Sequence, residues 1–250
     1  MIKQNRCALI VFFILLPFAF ALGQNKELIF HFFGGVSSPT GNFGKKIGST
    51  AMITRRAGFD YGGNVGLAST GFVVGAEITR PVLVEGLGWQ ISSKIIYNPT
   101  NKSSVENEFG ADPRVKGALE FETGNWINIP VFSGFSYGIK LFNRLNVYYH
   151  IQAGLNFTRQ ASRKATLNGS VIENTRFRTM TNYGFETGIG FDFMETYSLS
   201  VRYLDLGTPR HEGNRTLNES FFTEIVKRES HIIGEEKSVT LFLITLGIKI

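Results

Sequence analysis

Residues Arg144 to Phe157, RLNVYYHIQAGLNF, divide by parity into two unlike faces. Leu145, Val147, Tyr149, Ile151, Ala153, Leu155 and Phe157 form an unbroken apolar row, and Asn146, Tyr148, His150, Gln152, Gly154 and Asn156 form a mostly polar one. A period of two is that of a β-strand with one apolar side. The same alternation suits a soluble sandwich, a ligand-carrying barrel and a barrel immersed in lipid. What separates them is which row faces outward.

The parity pattern recurs along the chain and predicts eight strands. Their apolar rows run through Leu28, Phe30, Phe32 and Val36; Phe72, Val74, Ala76 and Ile78; Trp89, Ile91, Ile95 and Tyr97; Ile127, Ile129, Val131, Phe135 and Tyr137; the opening stretch; Tyr183, Phe185, Ile189, Phe191 and Phe193; Leu199, Val201 and Tyr203; and Phe242, Ile244, Leu246, Ile248 and Ile250. Connections alternate in length. VLVEGLG, GIKLFNR and METYS are short, whereas Ser37 to Tyr61, Pro99 to Asn125, Gln160 to Thr179 and Thr208 to Lys237 are long and polar. Short turns at one end, long loops at the other and an even strand count predict an all-β, eight-stranded antiparallel up-and-down transmembrane barrel with periplasmic turns and extracellular loops. Between Gly58 and Thr70 the parity slips, since Val65 and Leu67 oppose Phe72 and Val74, which points to a bulge or a loop hairpin there.

The polar row decides the orientation. Gly134, Ser136, Asn146, Gln152, Gly154, Asn156, Gly184, Gly188 and Gly190 are small and weakly charged, unlike the Lys- and Glu-dressed surface of a soluble sheet. The opposite row carries almost no charge, and no set of amphipathic helices is available to cover it. Lipid is therefore the expected cover, with Tyr97, Trp126, Tyr137, Tyr149, Phe193 and Tyr203 near strand ends as interfacial girdles.

Lys3 and Arg6, the apolar run Ala8 to Ala21 and the small residues of Ala21-Leu22-Gly23 read as a secretory signal over residues 1–23, leaving 24–250 as the barrel domain. Cys7, the single cysteine, falls inside that signal, so the mature chain has neither disulfide nor cysteine-based metal site. Without Lys3 and Arg6 the 26 basic residues become 24 against 20 acidic ones, too mild an excess to argue for nucleic acid. After the signal no apolar run is long enough for a membrane-spanning helix.

Three stretches, FFGGVSSPTGNFGK (Phe32 to Lys45), FVVGAEITRPVLVEGLGWQISSKIIYN (Phe72 to Asn98) and NWINIPVFSGFSYG (Asn125 to Gly138), resemble the small outer-membrane β-barrel domain proteins of Gram-negative bacteria, the group that includes PorT-like barrels. The resemblance spans residues 24 to 250 and implies a barrel fold, an outer-membrane address and insertion by the barrel assembly machinery. It supplies no common catalytic residues. The last strand departs from the pattern, ending in Ile250 where an aromatic is usual.

The polar row holds the candidate chemistry. Glu77 with Lys94 and Glu186 with Arg202 are expected to pair across hairpins as lumen packing rather than a conducting path, because an eight-stranded barrel is filled by side chains. His31 and His150 point inward and His211 and His231 fall in the last loop, with no serine at a recognisable spacing, so no catalytic residue, metal ligand or cofactor is assigned. The basic loops carry Arg163 and Arg176, candidate contacts for lipopolysaccharide phosphates. In SFFTEIVKRESHII, Ser220 to Ile233, the spacing of Phe221, Phe222, Ile225 and Val226 suits a short amphipathic helix or an extended strand. The functional expectation is a non-enzymatic outer-membrane barrel with a structural, adhesive or accessory role through its outer loops and lipid and lipopolysaccharide as surroundings. The alternatives are a lipid A-modifying enzyme on the same barrel and a soluble lipocalin-like carrier.

Overall fold

The structure, a computed structural model, describes residues 27–47, 52–54, 58–60, 65–82, 84–110, 117–142, 144–218 and 228–250. The proposed signal, residues 1–23, lies outside them. In chain order the strands are β1 (Ile29–Thr40), β2 (Met52–Thr54), β3 (Gly58–Asp60), β4 (Gly71–Pro81), β5 (Leu87–Pro99), β6 (Leu119–Thr123), β7 (Asn125–Phe142), β8 (Leu145–Arg159), β9 (Arg163–Leu167), β10 (Ser170–Phe177), β11 (Thr179–Phe193), β12 (Tyr197–Asp205), β13 (Arg210–Asn218), β14 (Arg228–Glu236) and β15 (Thr240–Lys249). Two short helices, α1 (Gly41–Gly44) and α2 (Lys102–Gly110), lie between them.

Eight of these strands close into an antiparallel barrel in the order β1-β15-β12-β11-β8-β7-β5-β4, the up-and-down topology expected from the alternating apolar rows. The seam pairs the first barrel strand with the last, from His31 opposite Lys249 to Thr40 opposite Thr240. Closure leaves the barrel no free edge. Three tight connections gather at one end. After β4 the turn closes through Gly86 at φ 78, with Val82 N–H donating to Leu87 O at 3.0 Å. Between β11 and β12, Met194 and Glu195 both take positive φ, 53 and 61, and Thr196 N–H donates to Phe193 O at 3.2 Å. Phe193 pairs with Tyr197, so three residues make this tight connection, and its two left-handed positions are filled without glycine.

Parity resolves as the polar row predicted. Ile151, Ile189 and Ile244 point outward at 52%, 51% and 56% exposure, while Gln152 and Glu186 are inside at 1% and 0%. The outward rows are built of Phe, Ile, Val, Leu and Tyr on all eight strands. Trp126 departs from expectation. It lies on the inward row of β7, buried at 1%, with its indole N–H donating to Gly66 O at 2.9 Å, and is no girdle residue. Its even number sets it beside Asn128 and Phe132, and proximity to the strand end did not override parity.

The long loops do not stay loops. They form a five-stranded sheet, β14-β13-β10-β9-β6, and a small hairpin, β2-β3, at the end opposite the tight turns. β9 and β10 join through Asn168 and Gly169, both at positive φ (49 and 77), the geometry Asn-Gly favours. Beneath this lid, Ile47, Val65, Leu67, Val105, Phe109, Phe121, Ala165, Leu167 and Ile172 form a separate apolar core. The parity slip before β4 is thereby explained: Val65 and Leu67 belong to the lid core rather than to a barrel strand. In the fourth long loop, residues 228–233 are strand, which excludes a helix over that part of Ser220 to Ile233. Phe221, Phe222, Ile225 and Val226 lie outside the described residues.

Candidate functional site

The lumen is filled in two storeys. Toward the lid, Phe33, Val73, Ile96, Phe132, Leu204, Leu241 and Leu243 turn inward and join Phe43 and Trp126 in a dry cluster, so the inward row is more apolar at this level than its small polar members suggest. Toward the tight turns the inward row is polar. Glu77 (β4), Lys94 (β5), Glu186 (β11) and Arg202 (β12) meet there, each at most 3% exposed.

The pairing follows register. Glu77 is opposite Ser92 and Lys94 opposite Gly75, so the two charges on this hairpin are offset by two residues. Lys94 instead reaches across the lumen to Glu186, which corrects the expected Glu77–Lys94 pair. Arg202 Nη1 donates to Glu186 Oε1 at 3.0 Å and to Glu77 Oε2 at 3.2 Å, and its Nε donates to Ser200 Oγ at 2.9 Å. Neutral groups complete the network. Gln90 Nε2 donates to Glu77 Oε1 at 3.0 Å, Gln152 Nε2 to Gln90 Oε1 at 3.0 Å, and Ser92 Oγ to Gln152 Oε1 at 2.6 Å. The guanidinium of Arg202 also lies over the Phe33 ring, 4.4 Å from its centroid, joining the charged storey to the dry one. Two carboxylates and two cations balance, and mutual attraction at short range offsets much of the cost of removing each from water. At this level the four charged side chains and their amide and hydroxyl partners fill the lumen.

Both lumenal histidines touch this network. His150 Nε2 is 3.2 Å from Glu186 Oε1. His31 Nε2 is 2.5 Å from Ser198 Oγ, and its Nδ1 is 3.7 Å from Glu77 Oε1. The Ser198–His31–Glu77 trio was invisible in the sequence because its members lie on β12, β1 and β4. Their order resembles nucleophile, base and acid, but 3.7 Å is beyond a hydrogen bond, and Ser198 is 4% exposed on a wall whose backbone N–H groups pair within the sheet. The described residues hold no grouping of His, Cys, Asp and Glu suited to a metal ion.

Below the charged storey the barrel opens into a cup of about 890 Å³ at the turn end, with Gln90, Asn146, Tyr148, Asp192 and Lys249 at its inner part. Lys249 Nζ donates to Asp192 Oδ2 at 2.6 Å and Asn146 Nδ2 to the same oxygen at 3.0 Å.

In the lid, Arg163 is not presented to the surroundings. It is 7% exposed, its Nη2 donates to Glu235 Oε1, and its guanidinium stacks 5.2 Å from the Phe177 ring centroid. This removes Arg163 from the candidate lipopolysaccharide contacts, whereas Arg176 is exposed on β10. Burial would raise the Glu235 carboxyl, but Arg163 and Lys237 beside it outweigh that and hold it at about 2. His211 lies between Trp126 and Phe177, ring centroids 5.3 and 6.4 Å away, and burial depresses its imidazole to about 4. The side chain of His231 lies outside the described residues.

No family model matches the chain, so the PorT-like part of the resemblance gains no support, and no curated protein matches it either. Among solved structures the barrel is similar to a major outer membrane protein from Thermus thermophilus (11% identity, 90% of this chain and 100% of that one, TM-score 0.45). It is also similar to the outer membrane protein OprG from Pseudomonas aeruginosa (12% identity, 90% and 97%, TM-score 0.44) and to Neisserial surface protein A (10% identity, 89% and 96%, TM-score 0.38). The closed strand order of this chain establishes the barrel without them.

Proposed function

We propose that the protein is an integral outer-membrane β-barrel, non-enzymatic, with its tight turns in the periplasm and its folded lid outside, acting as a structural, adhesive or accessory component through that lid. The observation that carries this reading is the outer wall: exposed Phe, Ile, Val, Leu and Tyr side chains run around a closed cylinder with no covering element among the described residues. In water such a surface is far larger than the apolar patches soluble proteins tolerate, and in lipid a closed barrel satisfies every strand internally. A lipocalin-like carrier would need the reverse arrangement, an apolar cavity with a polar exterior.

Fractionation of cells producing the protein, followed by electrophoresis of unboiled and boiled samples, tests the reading. A band in the outer-membrane fraction that shifts on boiling is expected; recovery as a detergent-free soluble protein would overturn it. Planar-bilayer recordings test the filled lumen, with no stepwise conductance expected.

The alternative of a lipid A-modifying enzyme has one geometric support, the contact of His31 with Ser198. The burial of that serine stands against it. Mass spectra of lipid A from cells producing the native protein and Ser198→Ala are expected to be identical; a product dependent on Ser198 would make the barrel an enzyme.

A further inference from the structure

The cup at the turn end has a built floor. Tyr148 lies against Gly190, its opposite number in the β8–β11 register, where a Cβ would fall 2.2 Å from the ring carbon Cζ. Glycine at that position lets the ring approach the wall closely. Lys249 Nζ stands 4.9 Å from the ring centroid and donates to Asp192 Oδ2 at 2.6 Å. Asn146 Nδ2 donates to the same oxygen at 3.0 Å. Side chains from β8, β11 and β15 are thereby held in one contact network, and all of them line the cup.

That network is unevenly satisfied. Asp192 is 4% exposed, and while its Oδ2 takes both donors, its Oδ1 has no hydrogen-bond partner among the described residues. A buried carboxylate oxygen calls for a donor. Asp192 Oδ1 can only accept, and the Lys249 ammonium beside it can only donate. A hydroxyl does both, so two hydroxyls on neighbouring carbons can serve the carboxylate and the ammonium together.

Charge narrows the ligand further. Asp192 and Lys249 cancel, as do Lys140 and Glu195, which line the same cup and pair at 3.0 Å. A second ammonium at Asp192 Oδ1 would be repelled by Lys249, and an anion at Lys249 would be repelled by Asp192. A neutral ligand meets neither penalty. The cup, about 890 Å³, falls within the roughly 300–1,000 Å³ of small-molecule sites.

We infer that the cup is a binding site for a neutral saccharide, with adjacent hydroxyls held by Asp192 Oδ1 and Lys249 Nζ beside the Tyr148 ring. The inference rests on the membrane-spanning reading only for the side from which the sugar enters, the periplasmic side of the tight turns.

The test uses the whole barrel in a zwitterionic detergent without sugar headgroups. Maltose is the neutral probe, putrescine the cationic one and gluconate the anionic one, each titrated by calorimetry against the native protein, Asp192→Ala and the lid control Glu122→Gln. Saturable maltose binding at millimolar concentration is expected for the native and control proteins, with affinity at least tenfold lower in Asp192→Ala. Tyr148 ring resonances of the native protein should move along the same titration curve, a measurement that decides the matter if Asp192→Ala does not fold. Absence of maltose saturation, static Tyr148 resonances or native affinity in Asp192→Ala overturns the site. Tighter binding of putrescine or gluconate than of maltose overturns the neutral ligand and assigns an ion. The shift on boiling keeps the two readings apart: its loss strikes the membrane assignment, whereas a folded barrel that ignores maltose strikes the cup alone.

Discussion

Arg202 and Glu77, 125 positions apart in the chain, meet at 3.2 Å across the barrel lumen. Between their strands on the wall lie β15 and β1, so the contact braces the cylinder through its interior rather than along the sheet. Removing the guanidinium leaves two carboxylates partly unpartnered in a dry space. Arg202→Leu is expected to lower unfolding stability in lipid vesicles by about 3–5 kcal/mol, and Glu77→Gln added to it should recover part of that loss. Urea titrations of the single and double variants measure both. A single variant within about 1 kcal/mol of native would show that the brace contributes little.

The outward row gives a prediction of opposite sign for the two environments. Ile151→Lys places an ammonium midway along the exposed wall, where lipid penalises it by about 2–4 kcal/mol. Reduced folding yield in vesicles is expected, more severe than for Arg159→Ala at the rim. In a water-exposed wall the same substitution would raise solubility.

Gly188 faces His150 across a strand pair, and a Cβ there would lie 2.7 Å from the His150 ring carbon Cε1 and 2.7 Å from the carbonyl oxygen of Val201. The ring occupies the space a side chain would fill, and so reaches Glu186. Gly188→Val must push His150 aside and bend the backbone, at a cost of about 1–3 kcal/mol. A shifted His150 imidazole resonance, with barrel strand content unchanged in circular dichroism, is the expected signature.

Acid should loosen the lid in two stages. His211 ordinarily titrates near 6.5 and in the folded lid at about 4, so the folded state refuses a proton that the unfolded chain accepts. Its contribution is whole above 6.5 and falls away as pH drops from 6.5 to 4, by on the order of 3 kcal/mol. Glu235, held at about 2 against an ordinary 4.5, supplies stability above 4.5 that is lost as pH falls toward 2. Trp126, Phe177, Glu235 and Lys237 surround the imidazole, and amide exchange of β13 and β14 should accelerate between pH 6.5 and 4. In His211→Phe the upper stage should disappear while the lower one persists.

The barrel strands were legible because each has one continuous apolar row, and the small polar members of the other row fixed which side was inside. Misreadings arose where contact depends on residues distant in sequence. Lys94 was paired with its hairpin neighbour, but the register of β4 and β5 sets the charges two residues apart and Glu186 supplies the nearer carboxylate. Arg163 read as a candidate phosphate contact on a basic loop because its partner, Glu235, is 72 positions away. The lid sheet was missed although Asn168-Gly169 advertises a tight hairpin; β6 and β9, five residues each, are too short for a parity test. Trp126 misled by its nearness to a strand end, and the apolar upper storey by the glycine and asparagine that share its row.

The seam between β1 and β15 has a consequence for biogenesis. Its two sides come from opposite ends of the barrel sequence, with Thr40 and Thr240 touching at 3.1 Å through their hydroxyls. Until residues 240–249 arrive, the nascent cylinder has two raw borders of unsatisfied peptide groups, which hydrocarbon tolerates badly. An insertion catalyst must therefore shield both borders at once and release them together, and a chain shortened before Thr240 would find its missing strand only by borrowing one from another molecule.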